Sequence, residues 1–321
     1  MVKKNISVYL GVIIPVLLGA GLTYYTYSTF SEVQREQMKE YFISANYNFV
    51  IVSLLLAIIG YALRAYRWKY TLAQIGSYPS FTLNFLAVSI GYFVNLSVPR
   101  AGEVSRALIL KKYKEVPFDK AFGTIIAERI VDLFLLLSFI LVAVIMEFDT
   151  LKNFLLQYVP IQKLFLLMAF GFCSFIILIV LYKYSKLNFI VLVKSKVEGL
   201  KEGVLSVYRI PNKWKFLVLT LLLWLSYFLM FYLMIFSLEA TKSIAMGTVL
   251  VAFVIGGLTM TFTNGGFGFF PVLIAKILFL YGISLEAGNA FGWIVWTSQL
   301  LITVLLGIFA FLILPIVTRK K

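Results

Sequence analysis

Long apolar stretches alternate with short polar connections along the whole sequence. A helix needs roughly 20 apolar residues to cross the hydrocarbon core of a bilayer, which is about 30 Å thick. Eight stretches approach that length, at residues 6–27, 48–63, 81–98, 121–146, 161–182, 216–238, 243–262 and 288–315. A ninth, at 267–281, is too short to cross alone. The longest polar connection has about 30 residues, so the pattern predicts a single integral membrane domain over 1–321.

The charges of the connections change the number of predicted crossings. If all eight stretches crossed, the connection 99–120 would lie outside although it carries six Lys and Arg residues. That placement conflicts with the rule that basic residues stay on the cytoplasmic side. The conflict disappears if 81–98 enters from the cytoplasm and returns as a re-entrant hairpin. By the same logic, 243–262 and 267–281 form a second hairpin that enters from outside.

The predicted fold is therefore an all-α polytopic membrane protein with six full transmembrane helices and two re-entrant helical hairpins. Both termini lie in the cytoplasm, and the first stretch, 6–27, is an uncleaved span because it is longer than a typical signal core. This orientation puts 22 Lys and Arg on the cytoplasmic side and 6 on the outer side. Each hairpin lies between two full spans, which predicts inverted repeats over roughly 48–146 and 216–315.

Residues 186–209 show a different pattern. Apolar residues recur at spacings of three and four from Leu187 to Tyr208, and the lysines lie mostly off that stripe. This pattern predicts an interfacial helix on the cytoplasmic leaflet. It serves either as a plain connector resting on the membrane or as a sensor of lipid composition.

Composition excludes several classes of protein. The chain is 61% apolar and 13% charged, whereas a soluble domain is about 45–50% apolar and 25% charged. The net charge of +15 is explained by cytoplasmic loops that meet anionic lipid, so no nucleic-acid partner is predicted. The chain has no His and a single cysteine, Cys173. We therefore predict no His-ligated metal, no intrachain disulfide and no cofactor.

The first candidate site is the break between residues 95 and 106, where an apolar half-helix ends at Pro99. Two arginines there could hold a phosphate, and the glutamate could balance them or meet a cationic headgroup. The alternative is a cytoplasmic loop with ordinary topological arginines and a structural Glu–Arg pair. The candidate substrate-binding residues are Asn95, Arg100, Glu103 and Arg106.

The second candidate site lies inside the predicted span 121–146. Glu128 and Asp132 are four residues apart on one helix face, and Arg129 can reach Asp132. At about 1.5 Å per residue these groups lie roughly 10–17 Å into the membrane, where ionisable side chains are costly and usually functional. The residues favour headgroup binding or proton coupling; the alternative is an ion-pair network that only fixes helix packing.

The turn of the second predicted hairpin contains Asn264, Gly265, Gly266 and Gly268. Three glycines in five residues permit positive φ and exposed amides, which suit an anionic group at the start of a half-helix. Glycine-rich turns also serve only to bring helices close together.

Three more basic residues are candidates. Arg64 and Arg67, beside Trp68, mark the cytoplasmic end of the second span. They act as interface anchors or join the binding site. Lys276, in the second hairpin, either reaches a phosphate or extends its ammonium to the membrane surface.

Four motifs in this order resemble the transmembrane region of lysylphosphatidylglycerol synthases, also called the flippase-like domain. The motifs are Arg64-x-x-Arg-Trp68, Asn95-x-x-x-Pro-Arg-x-Gly-Glu-x-x-Arg106, Glu128-Arg-x-x-Asp132 and Gly265-Gly-x-Gly268. The resemblance implies an integral protein of the bacterial or archaeal cytoplasmic membrane. In bifunctional members this region moves an aminoacylated phospholipid to the outer leaflet, and other relatives are linked to polyprenyl-phosphate sugars.

Two departures from the family pattern affect the expected substrate. Many relatives have Pro before the two glycines and an acidic residue soon after, where this chain has Asn264 and Pro271. A carboxylate that would meet a lysyl headgroup is thereby lost. The soluble aminoacyl-transferase domain is also absent, so aminoacyl synthesis by this chain is not expected.

These observations predict a lipid flippase or transporter that is not an enzyme and whose partners are membrane lipids. The expected lipid is an anionic or aminoacylated phospholipid, or a polyprenyl-phosphate-linked sugar. The oligomeric state is left open, a homodimer included. One alternative is a membrane-embedded lipid-modifying transferase that uses Glu103, Glu128 or Asp132 as a base. Another is an accessory scaffold in envelope lipid assembly.

Overall fold

The structure, a computed structural model, describes residues 2–98, 100–158, 208–263 and 265–318, together with residues 170, 180 and 194. Within these ranges the chain is helical and contains no strand. We number the helices in chain order. They are α1 (Val2–Thr29), α2 (Glu32–Ser44), α3 (Tyr47–Ala73), α4 (Phe81–Ser97), α5 (Ala101–Lys114), α6 (Phe118–Met146), α7 (Phe148–Tyr158), α8 (Lys213–Ile235), α9 (Met246–Phe262), α10 (Phe269–Leu280) and α11 (Leu285–Val317).

Four of these helices, α3, α6, α8 and α11, are long and apolar enough to cross a membrane. They correspond to four of the six predicted spans. The first predicted span lies within α1, a helix of 28 residues. The span at 161–182 and the interfacial helix at 186–209 fall outside the described ranges. The number of crossings therefore stays a prediction.

Helix α2 was not predicted, because a search for long apolar stretches passes over a polar helix. It begins with a capping box, in which Ser31 Oγ accepts from the Gln34 amide and Gln34 Oε1 accepts from the Ser31 amide. Its partly buried side chains, Met38, Tyr41 and Phe42, pack against the hydrophobic core. The helix thereby covers one end of the bundle.

Two pairs of short helices, α4 with α5 and α9 with α10, have arms of 12 to 17 residues. Each pair follows one long helix and precedes another, so the order long, short, short, long occurs twice. The inverted relation between the two halves stays a prediction.

The first hairpin is held together at its turn. Arg100 adopts a left-handed conformation, with φ of 61°, just before α5 begins. Asn95 Oδ1 accepts a 2.7 Å hydrogen bond from the Gly102 amide and so satisfies a free donor at the start of that helix. A Cβ at Gly102 would overlap the carbonyl oxygen of Gly91. The two arms therefore meet at backbone distance.

The second hairpin turns on glycine. Gly265, Gly266 and Gly268 have φ of 61°, 77° and 70°, which residues with a Cβ rarely adopt. The Trp296 indole N–H donates to the Gly265 carbonyl at 2.7 Å and fixes the turn against α11. The Leu96 side chain lies beside Gly265, so the tips of the two hairpins touch.

The buried apolar residues form two main clusters. One joins parts of α3, α8, α9 and α10 with the first half of α11. The other joins the second half of α3 with α4, α5, the start of α6 and the last turns of α11. Helix α11 thus packs against both halves of the bundle.

The close approach within the first hairpin gives a stability prediction. Gly102→Ala places a Cβ against the Gly91 carbonyl, and we expect the overpacking to cost about 1–3 kcal/mol. The matched control is Gly123→Ala in α6, where a Cβ meets nothing within 4 Å. This control should retain or gain stability, by up to about 1 kcal/mol. Thermal unfolding in detergent measures both, and equal Tm values would contradict the packing described.

Candidate functional site

Seven charged residues from α3, α5 and α6 form one network of ion pairs inside the bundle, which we call the charged cluster. It contains four guanidinium groups and three carboxylates, and so carries a net charge of +1. Its members are Arg64, Arg67, Glu103, Arg106, Glu128, Arg129 and Asp132.

Asp132 is the centre of the cluster. Arg67 binds both of its oxygens, at 2.6 Å and 3.2 Å. Arg64 approaches at 3.3 Å and Arg129 at 3.7 Å. The Trp224 indole N–H also donates to Asp132, at 3.3 Å. One carboxylate is therefore shared by three guanidinium groups and a neutral donor, which compensates the cost of burying it.

Glu128 is fully buried and pairs with arginines from two other helices. Arg106 Nη2 lies 3.2 Å and Arg67 Nη2 3.8 Å from its Oε2. The guanidinium of Arg106 stacks 4.0 Å above the ring of Trp68, a cation–π contact that favours arginine over lysine. The Trp68 indole N–H donates to Thr124 at 3.0 Å. These contacts fix α5 against α3 and α6.

Two tyrosine side chains also line the cluster. Arg64 Nε donates to the Tyr227 hydroxyl at 3.2 Å, and that hydroxyl shares a 3.1 Å hydrogen bond with the hydroxyl of Tyr92. The Arg64 guanidinium lies 5.7 Å and 6.0 Å from the centroids of these two rings. The side chain is thus held by α4 and α8 as well as by Asp132.

The pair between Glu103 and Arg129 lies at the edge of the cluster. Their closest atoms are 2.6 Å apart, and the Arg129 side chain retains 38% of its exposure. The pair separates the buried ion pairs from the surface.

Helical spacing explains how the sequence builds this cluster. Arg64 and Arg67 are three residues apart on α3, and Glu128 and Asp132 are four apart on α6, so each pair shares one face. Those faces meet because the helices pack together, and burial away from water leaves the opposite charges to pair with each other and with the few polar groups beside them.

A narrow cleft opens beside the cluster, with room for about one water molecule. Its polar lining includes Arg64, Tyr92, Asn95, Glu103 and Arg106. Five buried side-chain atoms of the cluster have no hydrogen-bond partner. They are Arg64 Nη1, Arg67 Nε, Arg106 Nε, Glu103 Oε2 and Glu128 Oε1. An unmet buried donor or acceptor costs about 1–3 kcal/mol, so the cluster has unused capacity to bind a polar ligand.

The other predicted site residues lie apart from the charged cluster. Arg100 is exposed at the hairpin turn and makes no ion pair within the described part of the chain. Lys276 is exposed on α10. Gly265, Gly266 and Gly268 form the second turn, as described above, and Asn264 falls outside the described residues.

Four residues that complete the cluster were not predicted. Thr220, Trp224 and Tyr227 lie on α8 at spacings of four and three, and Tyr92 lies on α4. Their hydroxyl and indole groups bind Arg67, Asp132 and Arg64. Polar groups that recur on one face of an apolar helix are the signal that would have found those on α8.

The helices and the charges buried between them define an integral membrane protein with an ion-paired site inside its helical bundle. The chain belongs to the family described as the lysylphosphatidylglycerol synthase transmembrane region, whose model matches residues 12–316.

A UPF0104 membrane protein of Methanocaldococcus jannaschii is 34% identical to the chain over 102 residues. That alignment covers 31% of this chain and 30% of the relative. No solved structure matches the chain.

The burial of Asp132 gives a second stability prediction. Asp132→Asn leaves Arg64 without an ion pair among the described residues and raises the net charge of the cluster from +1 to +2, which we expect to cost about 3–5 kcal/mol. Glu103→Gln removes a partly buried carboxylate whose partner Arg129 is 38% exposed, and should cost less, about 1 kcal/mol. Unfolding by SDS in mixed micelles measures both variants. Equal losses would show that the pairs around Asp132 are no more buried than the pair at the edge.

Proposed function

We propose that this protein is a flippase-like lipid transporter, in which the charged cluster binds the headgroup of a phospholipid or a lipid-linked sugar. The observation that carries the proposal is the net charge of +1 in a buried site whose arginines retain unpartnered N–H groups. Buried charge is normally compensated. A bound phosphodiester would supply the missing negative charge and would accept from those donors.

The unpartnered acceptors support a headgroup that also carries donors. Glu103 Oε2 and Glu128 Oε1 face no donor from the part of the chain that the structure describes. A hydroxyl or an ammonium a few ångströms from the phosphate would satisfy them. An aminoacylated phospholipid and a polyprenyl-phosphate-linked sugar both have this combination, and the family relationship favours a lipid of this kind.

The same contacts favour transport over catalysis. Each carboxylate of the cluster already lies against at least one guanidinium group. A general base must be free to take up a proton from the substrate, and carboxylates held in ion pairs do not favour that role. Our proposal is therefore a protein that is not an enzyme and whose partners are membrane lipids.

Six full spans and two re-entrant hairpins remain our proposal for the topology, in a bacterial or archaeal cytoplasmic membrane with both termini inside. In this arrangement the charged cluster lies in the cytoplasmic half of the bilayer. The cleft is too narrow for a headgroup, so transport requires the first hairpin to move. Its arms approach to backbone distance at Gly91 and Gly102 and are joined by the Asn95 side chain, so the hairpin would move as one unit while the acyl chains stay in lipid.

Reconstituted vesicles provide the functional test. A panel of headgroup-labelled lipids would be scored for movement between leaflets, and the protein should move at least one anionic lipid faster than empty vesicles do. Arg64→Gln should slow that lipid about tenfold or more, because a charged hydrogen bond contributes about 1.5–3 kcal/mol. Asp132 retains Arg67 and Arg129 in this variant, so the fold should survive.

Lys69→Gln is the matched control. It removes one positive charge from the same helix at an exposed position outside the cluster, and should leave the rate unchanged. If no lipid moves faster than in empty vesicles, the transporter proposal fails. Equal loss in both variants would point to general surface charge and away from the charged cluster.

Cysteine labelling tests the proposed topology. In a Cys173→Ser background, single cysteines at Ser97 and Thr263 should react with impermeant thiol reagents from opposite faces of the membrane. The control is Leu137→Cys on the exposed apolar side of α6, which should stay unlabelled. Labelling of both hairpin positions from one face would rule out opposed hairpins.

A further inference from the structure

Helix α11 is largely apolar, but one of its sides carries a row of side chains that can form hydrogen bonds. They recur at spacings of three and four along one side, whereas most exposed positions of the helix carry Leu, Ile or Phe. From Asn289 to Thr303 they span about 21 Å at 1.5 Å per residue. We call this row the α11 track. It consists of Asn289, Trp293, Trp296, Gln299 and Thr303.

One end of the α11 track reaches the charged cluster. The Thr303 hydroxyl donates to the Gln299 carbonyl, so it accepts the 3.0 Å hydrogen bond that joins it to Tyr61. The Tyr61 ring packs 4.7 Å from the ring of Tyr92. Tyr92 in turn bonds Tyr227, the partner of Arg64. Two hydroxyl–hydroxyl hydrogen bonds and one ring contact therefore connect Thr303 with Tyr227, the partner of Arg64.

The middle of the track lies where the hairpin tips meet. Gln299 Nε2 is buried and has no hydrogen-bond partner. One turn further along, Trp296 holds the Gly265 carbonyl, beside Leu96 of the first hairpin. An amide donor is thus left unmet, among the described residues, about one helical turn from the contact between the two hairpins.

The far end of the track lines a second cavity, separate from the charged cluster. It encloses about 350 Å³ including its mouth. Asn289 is only 4% exposed, and its amide makes no hydrogen bond within the described part of the chain. No charged side chain contributes to the lining. The lining residues are Thr23, Tyr27, Phe30, Met38, Val272, Asn289 and Trp293.

We infer that the α11 track is the route by which a headgroup passes from the charged cluster to the second cavity, which holds the uncharged, hydroxyl-bearing part of that headgroup. The inference rests on the proposed function. Unpartnered amides in Gln299 and Asn289 offer both donors and acceptors to hydroxyl or ester groups. The rings of Tyr27, Phe30 and Trp293 pack against the C–H faces of a glycerol or sugar moiety.

The lack of charge along the track determines which part of the ligand it binds. A charged group in an apolar surrounding needs a counter-charge, and between the cluster and the second cavity the track residues offer none. The phosphate therefore relies on a cation outside the track. Arg100 is exposed at the turn of the first hairpin and makes no ion pair within the described part of the chain. It follows Leu96, whose side chain lies beside the Gly265 turn that Trp296 holds.

Transport in vesicles tests the track with two variants. Gln299→Leu and Asn289→Leu remove the amides at similar side-chain volume, and each should slow lipid movement about tenfold. Binding of a short-chain phosphatidylglycerol at the charged cluster should be unchanged. Thr297→Val is the matched control, since Thr297 lies on the exposed side of the same helix and should keep the wild-type rate. Wild-type rates in both leucine variants would overturn the inference.

A second readout does not depend on transport. In a Cys173→Ser background, Gln299→Cys and Asn289→Cys should react with a small impermeant thiol reagent, and Thr297→Cys should not. If the cavity binds free polyols, methyl glucoside or glycerol should protect Asn289→Cys from the thiol reagent. If the headgroup must be lipid-linked, only a glycerol-headgroup or sugar-headgroup lipid in nanodiscs should protect it. Absence of labelling at both track positions, or labelling without protection by any of these probes, would overturn the inference. If the wild type moves no lipid, the proposed function fails, and the labelling decides separately whether a hydrated track exists.

Discussion

A charged side chain inside a membrane protein must be compensated, because neither lipid nor apolar side chains can solvate it. The packing of the first half of this bundle depends on that constraint. Asp132 and Glu128 on α6 cannot be buried unless Arg64 and Arg67 on α3 and Arg106 on α5 are placed against them. The ion pairs therefore set how α3, α5 and α6 approach one another. Removing one partner leaves the remaining buried charges without an interaction that offsets their desolvation.

The same constraint links structure with the proposed function. A cluster with equal numbers of charges and no unpaired atoms would suggest a purely structural network. This cluster has one guanidinium in excess and unpartnered atoms of both kinds. Its ion pairs join three helices, yet some of its donors and acceptors lack hydrogen-bond partners. A phosphodiester with a neighbouring donor would complete it. Because the cleft has room for only about one water molecule, the proposed binding requires a conformational change.

Much of this arrangement could be predicted from the sequence, for identifiable reasons. Apolar length located the four long helices, and the basic residues of the connection 99–120 indicated the first hairpin. Depth in the membrane singled out Glu128 and Asp132 before any contact was known. The pairing itself could not be predicted, since it depends on the rotation of each helix. Sequence patterns placed Arg100 in the candidate site, yet its left-handed backbone leaves it exposed. The sequence patterns did not predict Trp224 and Tyr227, because aromatic residues are common in membrane helices and the partners of these two lie on other helices.

The central claim is that the charged cluster binds a phosphate-bearing lipid headgroup. Equilibrium binding to the purified protein tests it most directly, with a short-chain phosphatidylglycerol compared with the matching diacylglycerol, which lacks the phosphate. The account predicts saturable binding of one phosphatidylglycerol per chain, little binding of the diacylglycerol, and at least about tenfold weaker phosphatidylglycerol binding in Arg106→Gln. Equal binding of the two lipids, or unchanged affinity in Arg106→Gln, would contradict it.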